Sequence, residues 1–243
     1  MPEPARRMTT RTDPHADPKD RSAALYRLLA WLSPSFPTGA FSYSHGLEAA
    51  AEVGTVRDRA SLHNWIAAIV TQGSGRIDID VLSAAYRAAG ARDHAALDAA
   101  NRLGLAFRAT AELALESLQQ GAAFLATHAA AWPDPFLEAW NPGEGVCLPA
   151  AFGAAAGSAG IAIEDALLGY LHTFASNLIS AGLRLGLIGQ TDGQRILAAL
   201  EPLIASAADA AKRRGRADFG SATFAVDLAS MAHETQYSRL FRS

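Results

Sequence analysis

Residues 164–185 read EDALLGYLHTFASNLISAGLRL. Leu167, Leu171, Phe174 and Leu178 recur at i, i+4, i+7 and i+11, the period of an α-helix, and the stretch is apolar nearly all round. Such a helix is expected to be buried on every side as the central element of a helical core. Residues 166–183 carry no formal charge and match the shortest membrane span in length. His172, Asn177 and several hydroxyls within it, with Glu164, Asp165 and Arg184 at its ends, favour a core helix over a span. Working outward, the same period returns in Leu25, Leu28, Leu29 and Leu32, then in Leu62, Trp65, Ile66, Ile69 and Val70. It returns again in Leu118, Ala122 and Leu125, and in Ile196, Leu197, Leu200, Leu203 and Ile204. Ile77, Asp78, Ile79, Asp80 and Val81 alternate like a strand, but run at once into the helix formers Leu82 to Tyr86, so a helix start is read there. Ala151 to Gly160 is a small-residue helix that permits close backbone approach.

The punctuation agrees. Pro34 and Pro37 stop the first helix, because a proline lacks the N–H donor and disfavours helix at the residue before it. A second helix is expected from Phe41 to Glu52. Thr55 with Asp58, and Thr191 with Gln194, read as capping pairs, and Pro202 as a kink. Prolines 133, 135, 142 and 149 mark the longest internal loop. No hairpin turn or βαβ alternation is present, so the fold is expected to be all-α: a single compact domain of about nine or ten helices. The division is a disordered lead-in over residues 1–21, the domain over 22–232, and a polar-aromatic tail over 233–243.

Composition narrows function. The 243 residues carry 21 Lys+Arg against 24 Asp+Glu, a formal charge of −3, without the strongly basic balance that phosphate neutralisation requires, so no nucleic-acid partner is expected. Half the residues are hydrophobic and 19% are charged, a globular composition. A lone cysteine, Cys147, excludes an internal disulfide and reads as an apolar filler. With no signal-like apolar segment at the N-terminus, the cytoplasm is the default location and no membrane association is expected. The only lysines, Lys19 and Lys212, stand outside any glycine-rich phosphate cradle, and no G-x-S-x-G, H-E-x-x-H or clustered Cys/His pattern occurs. His45 with Glu48 is the nearest approach to a metal-ligand pair, and a local polar contact is its simpler reading. Glu112 and Glu116, at i and i+4, read as a solvated helix face, and Asp78 with Asp80 as weaker still.

Two segments carry more chemistry than connectors need. Residues 32–48, LSPSFPTGAFSYSHGLE, pack aromatics, glycines and hydroxyls between two helices, and read equally as an interhelical turn whose aromatics cap the core or as a recognition surface. The tail HETQYSRLF, residues 233–241, offers Tyr, Arg and Phe, the types that dominate interface hot spots. These stretches, with ESLQQG (116–121), FASNL (174–178) and QTDGQ (190–194), resemble the UreF family of urease accessory proteins, in family order over residues 22–243.

The resemblance implies an all-α, dimer-forming, non-catalytic scaffold. It would join UreD (also called UreH) and the GTPase UreG on apo-urease, regulate that GTPase, and hold no cofactor of its own, nickel being handled by the complex at most transiently. Carried onto this sequence, it implies partner contacts at Tyr237, Ser238, Arg239, Leu240 and Phe241. It also implies a partner-facing loop containing Phe36, Pro37, Gly39, Phe41, Ser42, Tyr43, His45 and Glu48. Glu116, Gln119, Gln120, Gln190 and Gln194 are further candidates whose polar groups could equally cap helices. As a docking tail, residues 233–243 are expected to be removable without harm to the fold. Two alternatives stand beside this reading: an all-α small-molecule enzyme pairing Glu48 or Glu116 with His45, and a nickel carrier using His45 and Glu48 or His233.

Overall fold

The computed structural model describes residues 18–243, so most of the expected lead-in lies outside the described residues; Pro18 to Arg21 already belong to the first helix. The described residues form eleven α-helices, and no strand occurs among them. In chain order these are α1 (Pro18–Trp31), α2 (Leu47–Glu52), α3 (Arg59–Gln72), α4 (Ser74–Gly90) and α5 (His94–Ala106), then α6 (Ala111–Ala131) and α7 (Pro135–Ala139). The set closes with α8 (Leu148–Ser158), α9 (Ile163–Arg184), α10 (Gln190–Arg213) and α11 (Phe224–His233). No helix among the described residues is long and apolar enough to cross a membrane.

The alternating run is indeed helical, and it occupies the centre. In α4, Ile77 through Ser83 are all buried, and α8 is buried from Pro149 through Ala156. Small residues let these two helices touch backbone to backbone: a Cβ on Gly153 would stand 2.4 Å from the Leu82 carbonyl oxygen, and one on Gly157 2.4 Å from that of Tyr86. The four-residue spacing repeats the contact one turn later. Helix α9, expected to be buried all round, instead leaves Asp165, Leu168, His172 and Ser180 exposed or only partly covered along one side, beside α1. The first helix differs likewise: Leu28 and Trp31 face inward while Leu25 and Leu29 are more than half exposed. Trp31 sets that orientation, standing edge-on to Phe124, His128, Trp132 and Phe152.

Local signals were met in altered form. Asp58 is itself the N-cap of α3, accepting from the Ser61 N–H at 2.9 Å while the Ser61 hydroxyl accepts from the Asp58 N–H. Helix α10 is preceded by Gly189 without a side-chain cap, so Thr191 does not cap it, and α10 runs through Pro202 to Arg213 as one helix. The expected Phe41–Glu52 helix is a short 3₁₀ turn, Ala40–Ser42, followed by α2. The proline-rich loop contains α7, capped by Asp134 with Pro135 at its first turn.

Gly121 fixes how closely α6 meets the segment entering α8: its added Cβ would fall 2.2 Å from the Val146 carbonyl oxygen. Alanine there gains about 1 kcal/mol of helix propensity but forces the two backbones apart. Gly121→Ala is therefore expected to lower stability by about 1–3 kcal/mol net, read from urea unfolding midpoints. An unchanged midpoint would show that the contact yields freely.

Candidate functional site

The site is built where the 32–48 loop, α6, α11 and the tail converge. Gly39 and Gly46 adopt left-handed φ values of 75° and 74°, and His45, at φ 57°, shares that region without the glycine exemption. At Gly46 a side chain would also meet the backbone of α11, its Cβ lying 2.8 Å from the Ser230 nitrogen. The turn therefore delivers His45 and Glu48 inward, 4% and 7% exposed.

The tail is not a projecting arm. The Glu48 carboxylate accepts from the N–H groups of Leu240 (2.7 Å) and Phe241 (2.9 Å), and its Oε2 also lies 3.1 Å from His233 Nε2. The buried His233 ring donates from its other nitrogen, Nδ1, to Glu112 at 2.7 Å, and Arg239 donates to the second Glu112 oxygen at 2.6 Å. Beyond Phe241 the chain pairs with the loop: the Arg242 N–H donates to the Ser42 carbonyl at 2.8 Å, and the Ser44 N–H to the Ser243 carbonyl at 2.7 Å. Phe241 itself is buried, with the Arg184 guanidinium 4.1 Å above its ring.

Glu116, one turn beyond Glu112, is buried as well. Its carboxylate accepts from Gln120 Nε2 (3.1 Å) and the Ser243 hydroxyl (2.7 Å) and pairs with His45 Nδ1 at 3.1 Å, while His45 Nε2 meets the Ser74 hydroxyl at 2.9 Å. Burial works to raise the Glu116 carboxyl pKa, but His45, the Ser243 hydroxyl and nearby Arg108 outweigh it and hold it below the ordinary value. Deeper still, the Asp78 carboxylate takes Arg108 Nη2 at 2.7 Å and the Tyr170 hydroxyl at 2.7 Å. Asp80, two residues on, turns elsewhere and is gripped by Arg214 Nε at 2.8 and 3.0 Å.

As a set for catalysis, these groups are already committed. Both His45 nitrogens and both Glu116 oxygens have protein partners, and the neighbouring cavity, lined by Trp31, Tyr43, His45, Glu116, Gln120 and Tyr170 among others, measures about 70 Å³, room for a few waters. The Cys147 thiol is pushed up to about 11, mainly by burial. His45 and Glu48, the sequence's nearest ligand pair, point to different partners. No group of three His, Cys, Asp or Glu side chains suited to a metal ion occurs among the described residues.

The family model for UreF matches residues 56–201. A urease accessory protein UreF of Granulibacter bethesdensis is 50% identical over 223 residues, covering 91% of this chain and 94% of the relative. One from Rhodopseudomonas palustris strain TIE-1 is 46% identical over 238 residues (96% and 99%), and one from Methylorubrum populi 48% over 219 (89% and 98%). The chain belongs to the UreF family.

Against that family's expected contact residues, the structure brings most of the loop and the tail together and divides them by exposure. Tyr43, His45, Glu48, Glu116, Gln120 and Phe241 face inward; Phe36 is half-buried against Phe124 and Trp132. Phe41, Tyr237, Ser238, Arg239 and Leu240 are exposed, while Pro37, Gly39 and Ser42 lie at the surface of the same loop. Gln119, on α6, accepts from the Tyr43 hydroxyl and from Arg242. Gln190 and Gln194 are exposed on α10 and take no part in this network. Glu112 and Ser243 belong to it and were not expected as site residues; His233, expected only in the nickel-carrier alternative, belongs to it as well. The solvated-face reading of Glu112 and Glu116 is corrected: α11 and the tail cover them, Glu112 pairing with His233 and Arg239 and Glu116 with His45 and the Ser243 hydroxyl, all distant in the sequence of this UreF-family chain.

The tail also cannot be a dispensable appendage. Removing residues 233–243 takes the His233, Arg239, Leu240, Phe241 and Ser243 donors from Glu48, Glu112 and Glu116 and removes the buried Phe241 ring, a loss of about 3–5 kcal/mol for a deleted core aromatic. A chain ending at Ala232 is expected to melt well below the full-length protein, as followed by circular dichroism. Coincident melting curves would refute the clamp.

Proposed function

We propose that this UreF-family protein is a non-catalytic scaffold of urease maturation. It joins UreD/UreH and the GTPase UreG on apo-urease, regulates that GTPase, works in the cytoplasm and needs no cofactor of its own, nickel being cargo of the assembly. The observation that carries this reading is the form of the tail. Its backbone is locked into the fold while Tyr237, fully exposed, and Leu240, 61% exposed, stand outside. Helix α11 continues the apolar surface with Phe224, Leu228 and Met231 at i, i+4 and i+7, all exposed. Large apolar side chains held on an ordered backbone lose little entropy on docking, which is what a binding surface requires. The saturated His45–Glu116 pair and the small cavity beside it speak against the enzyme alternative. UreD/UreH is assigned to the α11–tail face.

A homodimer is part of the same reading. Leu25, Tyr26 and Leu29 on α1, with Phe41 and Leu168, leave an apolar face open around the groove between α1 and α9. A second copy is assigned there, because such a face in water is a recognised mark of association.

Leu240→Asp is expected to weaken UreD binding by at least about tenfold, the effect of losing a modest hot spot, with an unchanged melting temperature. Full affinity in this variant would remove the tail from the interface. Leu29→Asp is expected to shift the isolated protein from dimer to monomer mass in light scattering; a dimer that persists would place the second copy elsewhere.

A further inference from the structure

The exposed tail residues owe their placement to a side chain that is itself hidden. Glu48 is 7% exposed on the first turn of α2, and it spends one oxygen on the Leu240 N–H and the other on the Phe241 N–H and His233. Two consecutive amides bound by the two oxygens of one carboxylate fix the chain in register as well as in place. From there, exposure alternates: Leu240 out, Phe241 in, Arg242 out, Ser243 in. A slip of one residue would turn Leu240 into the core and Phe241 to solvent. Glu112 braces the same turn from the other side through His233 and Arg239.

We propose that Glu48 is a positioning residue for partner docking: without touching the partner, it holds the tail in the one register that presents Tyr237 and Leu240 outward. This inference rests on the reading of the tail as the UreD-facing surface. It separates two roles that the loop and tail motifs combine, since Glu48 acts through the backbone of residues 240 and 241, whereas Leu240 makes the contact. Charge is essential to the device. A carboxylate offers acceptors on both oxygens, whereas an amide replaces one of them with a donor that faces another N–H.

The test uses full-length protein with three variants, Glu48→Gln, Glu48→Asp and Leu240→Asp, and two readouts: amide hydrogen exchange of the tail and affinity for UreD. In Glu48→Gln the Leu240 and Phe241 amides should exchange at least about tenfold faster, reflecting loss of charge-assisted hydrogen bonds, with core amides of α4 and α8 unchanged and UreD affinity reduced about as far. Glu48→Asp keeps the charge but is one methylene shorter. It should show the same loss, and it serves if the glutamine variant does not fold. Leu240→Asp should lose affinity with tail exchange unaltered. If that last variant binds UreD normally, the docking reading fails. If it binds weakly while a Glu48 variant with a loosened tail binds as tightly as wild type, the positioning role fails and the docking reading stands. Tail amides that stay protected in both Glu48 variants would likewise overturn the inference.

Discussion

A carboxylate withdrawn from water must find donors, and the architecture is shaped by meeting that demand for Glu48, Glu112 and Glu116. The desolvation cost of each buried ion is several kcal/mol unless hydrogen bonds and opposite charge compensate it. Neighbouring segments of α2 and α6 supply little: apart from Gln120, the compensating groups are His45, His233, Arg239, the amides of residues 240 and 241, and the Ser243 hydroxyl. The tail is therefore drawn across α6 and the 32–48 loop. The left-handed turn at His45 and Gly46 is the counterpart on the other side, aiming two side chains inward at the place where α11 presses closest.

The same rule operates one layer down. Arg108 is buried and stays charged, its pKa raised by Asp78 against the opposing effect of burial, and Tyr170 completes the carboxylate's shell. Because Arg108 also acts on Glu116, the Asp78 layer and the tail layer share one cation. That layering is possible only because small residues let helices close up: Gly153 and Gly157 on Leu82 and Tyr86, and Gly121 on Val146. Close approach and buried charge are thus linked, since a wider helix spacing would admit water and relax the pairing that now fixes the tail.

This division explains what was legible in the sequence. Helices α3, α6, α9 and α10 could be read because an apolar stripe at helical period is a local property. The Ile77–Val81 alternation could be recognised as helix only from the helix formers Leu82 to Tyr86 beyond it, and its full burial was not visible, since periodicity reports one partner face and α4 has several. Asp58 and Gly189 replaced the expected caps because hydroxyl, carboxylate and bare backbone can all end a helix. Helix α7 was hidden among prolines, although Asp134 before Pro135 is a local signal for it. The carboxylate network was illegible for a different reason. Glu112 and Glu116 look like a solvated face until residues 233–243 are laid over them, and nothing local announces a partner that distant. The tail's aromatic and arginine content set it apart from a plain connector; it could not reveal that Phe241 is buried within the chain and Leu240 is exposed.

That split between Phe241 and Leu240 ties the fold to the proposed activity. Leu240, Phe241, Arg242 and Ser243 face outward and inward in turn, so the inward pair cannot be repacked without moving the outward one. Substitution pressure on the buried face, where Glu48, Arg184 and the Ser42–Ser44 backbone hold the tail, is therefore felt at the exposed face. Under the proposed scaffold reading, the docking surface would be ordered before the partner arrives, by groups the core already needs for its own charge balance. Its interface and its stability are then two readings of one set of hydrogen bonds.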